Sequence, residues 1–143
     1  IVNNNNINKI NNIKNTNIFI DHNILTINNI NKLKDNNIYS YGNNGVYNKS
    51  ILDNDSLLID RLSNNKNKYC LTKEKNNDIL EICSKNNLNT IIPTLVGDYS
   101  IIKNNLSNGS IILVNNINEL DNIIKYINSK GYNIVSLSKL LEE

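Results

Sequence analysis

The chain has 143 residues, of which 36 are asparagine, and it carries a formal net charge of +2 at pH 7. Its lysines and acidic residues are scattered without a basic run, so the charge pattern of a surface that binds nucleic acid or an anionic membrane is excluded. The sequence has no apolar stretch approaching the roughly 18 residues of a membrane span. Isoleucine and leucine recur regularly, as in one globular domain with its own core.

Helical and strand patterns alternate along the whole chain. Apolar residues spaced three or four apart predict helices, and short apolar runs between them predict strands. The predicted helices cover residues 7–14, 25–33, 55–63, 76–87, 98–106 and 118–130. The predicted strands cover residues 1–2, 18–20, 38–42, 68–71, 90–96, 111–114 and 132–137.

Local signals set some of these boundaries. Thr26 is the predicted N-cap of the second helix, and Asp55 or Ser56 is the predicted N-cap of the third. Pro93 lies inside a predicted strand and indicates an irregular or edge position there. Gly131 is the predicted C-cap of the last long helix.

This alternation predicts a parallel sheet wrapped by helices, and it leaves open whether the sheet closes into a barrel or stays doubly wound. In either case, binding residues are expected at the carboxyl ends of the strands. The asparagine-rich segments 3–6, 43–48 and 115–116 each follow a predicted strand. We therefore expect these segments to share one rim of the sheet.

The two cysteines give no sign of a metal or redox site. Cys70 and Cys83 are separated by 12 residues, which matches no zinc or redox spacing. We therefore expect both to be buried free thiols.

The segment "GNNGVYN", residues 42–48, has a spacing typical of metal sites. Asn44 and Asn48 are four residues apart, as paired histidine ligands are when a turn or helix start brings them together. Both side chains are neutral amides. Because asparagine is so frequent here, this pattern requires support from other residues.

Such support comes from the C-terminal stretch "NGSIILVNNINELDNIIKYINSKGYNIVSLSKLLEE", residues 108–143. It resembles the end of polysaccharide deacetylase domains, the carbohydrate esterase group of nodulation-protein-like enzymes. Those domains close with a Gly-Ser/Ala-Ile-Ile-Leu strand ending in Leu-His-Asp, a helix, Gly-Tyr, and a strand leading to Leu-Ser-x-Leu-Leu. The resemblance implies a distorted, contracted (β/α) barrel of about seven parallel strands over residues 1–143, lacking its extreme N-terminus.

The resemblance also implies which residues occupy the family's metal site. "GNNGVYN" resembles the Gly-Asn-His-Gly/Thr-x-x-His segment, so the two metal-binding histidines fall on Asn44 and Asn48. The metal-binding aspartate falls on Asn4. The family uses a divalent metal such as zinc, for which neutral amides are weak ligands. We therefore expect no metal cofactor.

The family's catalytic groups are replaced in the same way. The catalytic-base aspartate falls on Asn3, the arginine of the Phe-Arg-Pro-Pro-Tyr-Gly segment on Leu71, and the acid histidine on Asn115. Asp98 corresponds to the family's Asp-Trp aspartate and is the acidic group expected to remain near the site. An asparagine neither accepts a proton as a base nor donates one as an acid at neutral pH, so we expect an inactive homologue.

Carbohydrate is the partner that the resemblance implies, through weak glycan binding by amides and tyrosines. Tyr39, Tyr41 and Tyr47 are candidates to stack on a sugar ring, although half-buried packing is the favoured interpretation. The resemblance implies an extracytoplasmic or cell-surface location, the residues leave a cytoplasmic one open, and neither determines the oligomeric state.

Two alternatives remain. One is an active deacetylase or amidase with differently aligned motifs, for which Asp21, His22 and Asp98 are the available chemistry. His22 has no second histidine to join, so a surface or hydrogen-bonded loop histidine is the favoured interpretation. The other is a structural or interaction module without a ligand.

Overall fold

A computed structural model of the chain describes residues 1–10 and 12–142. Asn11, within the first predicted helix, and Glu143, at the end of the C-terminal stretch, lie outside the described residues. The chain divides into two compact units, Ile1–Ile92 and Pro93–Glu143. Helices and parallel strand pairs build both units, which confirms the predicted α/β class.

The first unit contains two parallel strand pairs, β1 with β2 and β3 with β4. Val2 forms an isolated parallel bridge to Ile20 and so extends the first pair by one partner. Two short 3₁₀-helices, Ile7–Lys9 and His22–Ile24, flank β1. The elements are β1 (Asn17–Ile20), α1 (Ile27–Leu33), β2 (Asn37–Ser40), α2 (Lys49–Leu62), β3 (Tyr69–Leu71), α3 (Asn77–Lys85) and β4 (Asn89–Ile91).

The second unit contains the parallel pair β5 and β6, and its core is built mainly by helices. Ile102, Ile123 and Ile127 form the buried centre of this core. The elements are β5 (Leu95–Gly97), α4 (Tyr99–Asn105), β6 (Ile112–Val114), a 3₁₀-helix (Ile117–Glu119), α5 (Leu120–Ser129) and α6 (Leu137–Glu142). In the part of the chain that the structure describes, no helix is long and apolar enough to cross a membrane.

Aromatic rings tie the strands of the first unit together. The ring of Tyr39 in β2 lies 5.3 Å from the ring of Phe19 in β1 and 5.1 Å from the ring of Tyr69 in β3, measured between centroids. All three side chains are buried. Each ring pair has the tilted or edge-on geometry that aromatic rings favour, so the row adds packing energy across neighbouring strands.

Side chains cap the starts of α1 and α2, and one predicted cap is wrong. Thr26 caps α1 as predicted, since its side chain accepts a hydrogen bond from the backbone N–H of Asn29. The third helix, α2, begins earlier than predicted because the side chain of Asn48 accepts from the N–H of Ile51. Asp55 is therefore a fully buried residue within α2 and caps nothing.

The seven-strand barrel is not what the described residues form. Val2 contributes a single bridge, the run 90–96 is divided between β4 and β5 with Pro93 between them, and residues 132–136 contain no strand. The helix predicted over residues 7–14 is also shorter, being the 3₁₀-helix Ile7–Lys9. The architecture is thus a set of short parallel pairs.

Asparagine side chains hydrogen-bond the edge of β2 that does not pair with β1. The backbone of Ile38 donates to the side-chain oxygen of Asn65 and accepts from its side-chain nitrogen, both at 2.8 Å. The N–H of Ser40 donates to the side-chain oxygen of Asn67 at 3.1 Å. These amides satisfy backbone groups that a continuous neighbouring strand would otherwise pair.

Replacing Asn65 by alanine should therefore destabilise the first unit. The change leaves both backbone polar groups of the buried Ile38 without their partner, which costs about 1–3 kcal/mol. Asn64→Ala is the matched control. That exposed side chain bonds the carbonyl of Lys34, and its loss should cost under about 0.5 kcal/mol. Urea unfolding of both variants measures the difference, and equal losses would contradict this role for Asn65.

The cysteines are not free thiols. Cys70 in β3 and Cys83 in α3 form a disulfide, and both residues are fully buried, as predicted for burial alone. The pairing was not predicted because the approach of α3 to β3 is a tertiary contact. Tyr47, Leu52 and Leu88 pack around the disulfide in one core cluster.

Removing this disulfide should destabilise the folded chain. The bond joins residues 13 apart in sequence. A cross-link of this size lowers the entropy of the unfolded chain and raises the free energy of unfolding by about 3 kcal/mol. We expect a Cys70→Ala, Cys83→Ala variant to lose about that much free energy of unfolding. A reducing agent should lower the urea midpoint of the wild-type chain and leave that of the variant unchanged. Two titratable thiols in unreduced, unfolded protein would contradict the pairing.

Candidate functional site

The loops that follow Val2, β1 and β2 meet at one end of the first strand pair. The N–H of Asp21 donates to the carbonyl of Val2, and the N–H of His22 donates to the carbonyl of Gly42, both at 2.8 Å. The N–H of Asn44 donates to the Asp21 carboxylate at 3.2 Å. Because these are parallel neighbours, this end is their carboxyl end, where binding residues of α/β sheets lie.

Asn3 and Asn4 lie in a tight turn directly after Val2. The side-chain oxygen of Asn3 accepts from the N–H of Asn5, and the N–H of Asn3 donates to the side chain of Asn6, both at 2.9 Å. Asn4 is exposed. The resemblance places Asn3 at the catalytic-base position, and its side chain stabilises the turn itself.

Asn44 and Asn48 lie in the turn between β2 and α2. Asn44 is exposed and has a left-handed backbone with φ of +47°, between Gly42 at +62° and Gly45 at +90°. Asn48 is exposed, and its side-chain oxygen accepts from the N–H of Ile51 at 2.9 Å as the N-cap of α2. The amide that the resemblance places at a ligand position thus has a structural role in starting the helix.

Leu71 is buried at the end of β3, and its backbone contacts a buried tyrosine. The N–H of Leu71 donates to the hydroxyl of Tyr47 at 2.9 Å, and that hydroxyl donates to the carbonyl of Ser40 at 3.2 Å. Burial raises the pKa of Tyr47, and the hydrogen bond to Leu71 opposes this only in part. Tyr47 therefore stays neutral and serves as a bridge between β2 and β3.

The three tyrosines considered for sugar stacking are all buried. Tyr39, Tyr41 and Tyr47 are 2%, 9% and 7% exposed, so none presents a ring face to solvent. Burial is also the main reason that the pKa of Tyr41 is raised, with the nearby Asp21 charge adding to it. These tyrosines therefore have a packing role, and they are more deeply buried than predicted.

Asp98 and Asn115 belong to the second unit. Asp98 is exposed and caps α4, since its carboxylate accepts from the N–H of Ile101 at 3.1 Å. Asn115 is exposed directly after β6, and its N–H donates to the carbonyl of Gly97 at 3.2 Å. Each lies at the carboxyl end of a strand, β5 and β6 respectively.

A carboxylate–imidazole pair at the carboxyl end of β1 and β2 was not predicted from the sequence. His22 Nδ1 lies 2.6 Å from Asp55 Oδ1, and the Ser40 hydroxyl donates to Asp55 Oδ2 at 2.6 Å. Asp55 is fully buried, whereas the His22 side chain is 31% exposed. One signal was available: Leu52, Asp55 and Ile59 are spaced along a single helix face, which puts a carboxylate on an apolar stripe.

The hydrogen bonds of Asp21 and His22 do not join them into the catalytic set that the alternative interpretation requires with Asp98. One Asp21 oxygen already accepts from the N–H and the side chain of Asn23 and from the N–H of Asn44. The imidazole of His22 pairs with Asp55, not with Asp21. The partner of His22 is therefore Asp55, 33 residues away in sequence, and not the adjacent Asp21.

The residues that the resemblance places at the metal-ligand positions do not fit a divalent metal. Asn4, Asn44 and Asn48 offer only neutral amide oxygens, and the Asn48 oxygen already accepts a hydrogen bond. Across residues 1–10 and 12–142, no group of three or more His, Cys, Asp or Glu side chains is placed to hold a metal ion. The donor chemistry therefore lacks the charge and the imidazoles that zinc requires.

No protein-family model matches the sequence, and no curated protein does. Solved structures do match. Wild-type BA3943, a CE4 family pseudoenzyme from Bacillus anthracis, superposes with a TM-score of 0.68 at 15% identity, covering 94% of this chain and 58% of that chain. The chain has a CE4-like fold.

A mutant of BA3943 gives the same result, with a TM-score of 0.69 at 15% identity over 94% of this chain and 59% of that chain. The chain therefore spans less than two thirds of the length of these CE4 structures. At this identity the similarity concerns the fold, and it agrees with the polysaccharide deacetylase resemblance of the sequence.

Proposed function

We propose that this chain is a non-catalytic polysaccharide deacetylase-like domain. Its metal-ligand positions are Asn4, Asn44 and Asn48, and its base and acid positions are Asn3 and Asn115. Every one of these side chains is a neutral amide. The observation that carries the proposal is that such amides remain where the resemblance requires a carboxylate and imidazoles, on a fold similar to that of a CE4 pseudoenzyme.

The hydrogen bonds of the site support this proposal. Asn48 caps α2 and Asn3 stabilises its own turn, so these amides have structural roles that need no ligand. Leu71, at the arginine position, is buried and carries no charge. The remaining acid, Asp98, caps α4. The domain thus retains a folded framework at these positions without the acid, base or cation that deacetylation uses.

The size of the expected loss follows from general acid–base chemistry. Each missing proton-transfer group costs roughly 10²- to 10⁴-fold in rate, and a missing metal removes both the Lewis acid and the activated water. These losses combine, so deacetylation should fall to the level of the uncatalysed reaction. Glycan binding, if the domain retains it, rests on exposed amides, because the three candidate tyrosines are buried.

An acetyl-release assay on chitin oligomers tests the proposal. The chain is incubated with the oligomers in the presence of Zn²⁺ or Co²⁺, and released acetate is compared with a control without protein. We expect no difference. Metal-dependent turnover that disappears in an Asn44→Ala, Asn48→Ala variant would contradict the proposal. Turnover that instead disappears on mutating Asp21, His22 and Asp98 would support an active enzyme with differently aligned motifs.

A further inference from the structure

His22 and Asp55 form a unit that the deacetylase resemblance does not account for. His22 is the single histidine of the chain, and it lies in the loop directly after β1. Asp55 reaches it from the middle of α2, and Ser40 reaches the same carboxylate from the end of β2. Three elements therefore hold one imidazole in place at the carboxyl end of two parallel strands.

The hydrogen bonds of Asp55 indicate which ring nitrogen of His22 carries the proton. The Ser40 oxygen accepts from the N–H of Gly42 at 3.0 Å, so its own proton is directed to Asp55 Oδ2. Asp55 Oδ1 faces His22 Nδ1, and an aspartate side chain is ordinarily a carboxylate at neutral pH, with no proton to give. Nδ1 must therefore be the donor, and the lone pair of the neutral ring resides on Nε2.

Nε2 is left free for chemistry. It makes no hydrogen bond to any of the residues that the structure describes, and the His22 side chain is 31% exposed. Asp55, in contrast, is fully buried. A buried carboxylate on Nδ1 and an accessible lone pair on Nε2 are the arrangement in which histidine acts as a base or nucleophile, since the carboxylate stabilises the imidazolium that forms.

We propose that His22 Nε2 is a nucleophile that accepts acyl groups from small activated esters, with Asp55 as its positioning residue. The Nε2 lone pair forms a bond to the ester carbonyl carbon, and the bond from that carbon to the aryloxide leaving group breaks. The positive charge of the acyl-imidazolium lies next to the Asp55 carboxylate. Water then adds to the acyl carbon and the bond from that carbon to Nε2 breaks. Carboxylate and two protons are released, and the neutral imidazole is restored.

This activity is separate from the deacetylase-like site. It uses neither Asn4, Asn44 nor Asn48. The proposed step includes no general acid to protonate a departing amine, so it needs a good leaving group. Substrates are thus limited to small aryl esters. Acetamides of chitin are excluded, so success or failure here is independent of the acetyl-release assay.

The test uses 4-nitrophenyl acetate as the probe, with EDTA present. Nitrophenolate release is measured for the wild-type chain and for His22→Gln, and the acetylated residue is located by mass spectrometry. We expect the protein-dependent rate of His22→Gln to be roughly 10²-fold lower than that of the wild type. In the wild type we expect the acetyl group on His22. Asn23→Ala, a change in the same short helix outside the dyad, should leave the rate unchanged. An unchanged rate in His22→Gln, or acetylation confined to lysines, would overturn the proposal.

The role of Asp55 has its own readout. Because the chain has one histidine, ¹⁵N NMR of the imidazole gives one pair of side-chain nitrogens. In the wild type we expect Nδ1 protonated and Nε2 unprotonated, whereas a dominant Nε2–H tautomer would overturn the proposal. Asp55→Asn should lose this fixed tautomer and part of the rate. If that variant fails to fold, the wild-type spectrum and His22→Gln still decide the outcome.

Discussion

Gly42→Ala is expected to destabilise the chain by about 3 kcal/mol, and Gly109→Ala by only about 1 kcal/mol. Both glycines have a left-handed backbone, with φ of +62° and +82°. A β-carbon on Gly42 would lie 2.5 Å from the carbonyl oxygen of Val46 and 3.0 Å from the Tyr47 ring, whereas one on Gly109 would meet nothing within 4 Å.

The comparison separates backbone strain from a steric clash. Both variants carry the same left-handed penalty, so the difference of about 2 kcal/mol reports the close approach of the turn to Val46 and Tyr47. Urea unfolding of the two variants gives this difference directly. Equal losses would show that the turn holding Asn44 is not as tightly packed as described.

The second large effect is a gain of metal binding. If the metal-ligand positions are assigned correctly, an Asn4→Asp, Asn44→His, Asn48→His variant restores a carboxylate and two imidazoles. We expect it to bind Co²⁺ or Zn²⁺ with a dissociation constant of about 1 μM, equivalent to about −8 kcal/mol. The loss of the α2 cap at Asn48 costs about 1 kcal/mol of stability, which the metal offsets.

A scrambled variant controls for the added histidines. Asn4→Asp combined with Asn31→His and Asn64→His introduces the same side chains at exposed positions on other elements. The absorption of bound Co²⁺ reports tetrahedral coordination in one variant and its absence in the other. Equal affinity in both variants would contradict the assignment of Asn44 and Asn48.

Local patterns predicted much of this fold. The spacing of apolar residues gave strands close to β1, β2, β3 and β6, and Thr26 and Asp98 stand at helix starts where the sequence indicated them. These features depend on interactions within one turn of the chain, which periodicity and capping rules describe. The alternation of helices and strands also predicted that Asn3 and Asn44 lie at the carboxyl ends of neighbouring strands in the first unit.

Contacts between distant residues were not predictable in this way. The bonds of Asn65 to Ile38 span 27 residues and the His22–Asp55 pair spans 33, so no local pattern shows which residues are partners. The high asparagine content hid them further, because an asparagine that replaces a strand partner looks the same in sequence as one that fills the surface. Asn36 is another such case, buried and bonded to Thr16 and to two backbone carbonyls.

The predicted continuous sheet is also absent because of contacts between residues distant in sequence. Asn65 and Asn67 occupy the side of β2 where the next strand of a continuous sheet would pair, and Pro93 lies between β4 and β5. A sequence pattern shows that a segment is apolar and short, but its pairing depends on which backbone groups are already satisfied. The short parallel pairs are therefore a property of the tertiary structure.

Calorimetric titration of the unmodified chain with Zn²⁺ and Co²⁺ shows whether the deacetylase-like site has lost its metal. We expect no saturable binding tighter than about 1 mM, under conditions in which the Asn4→Asp, Asn44→His, Asn48→His variant binds. Saturable micromolar binding by the unmodified chain that is lost in Asn44→Ala, Asn48→Ala would contradict it.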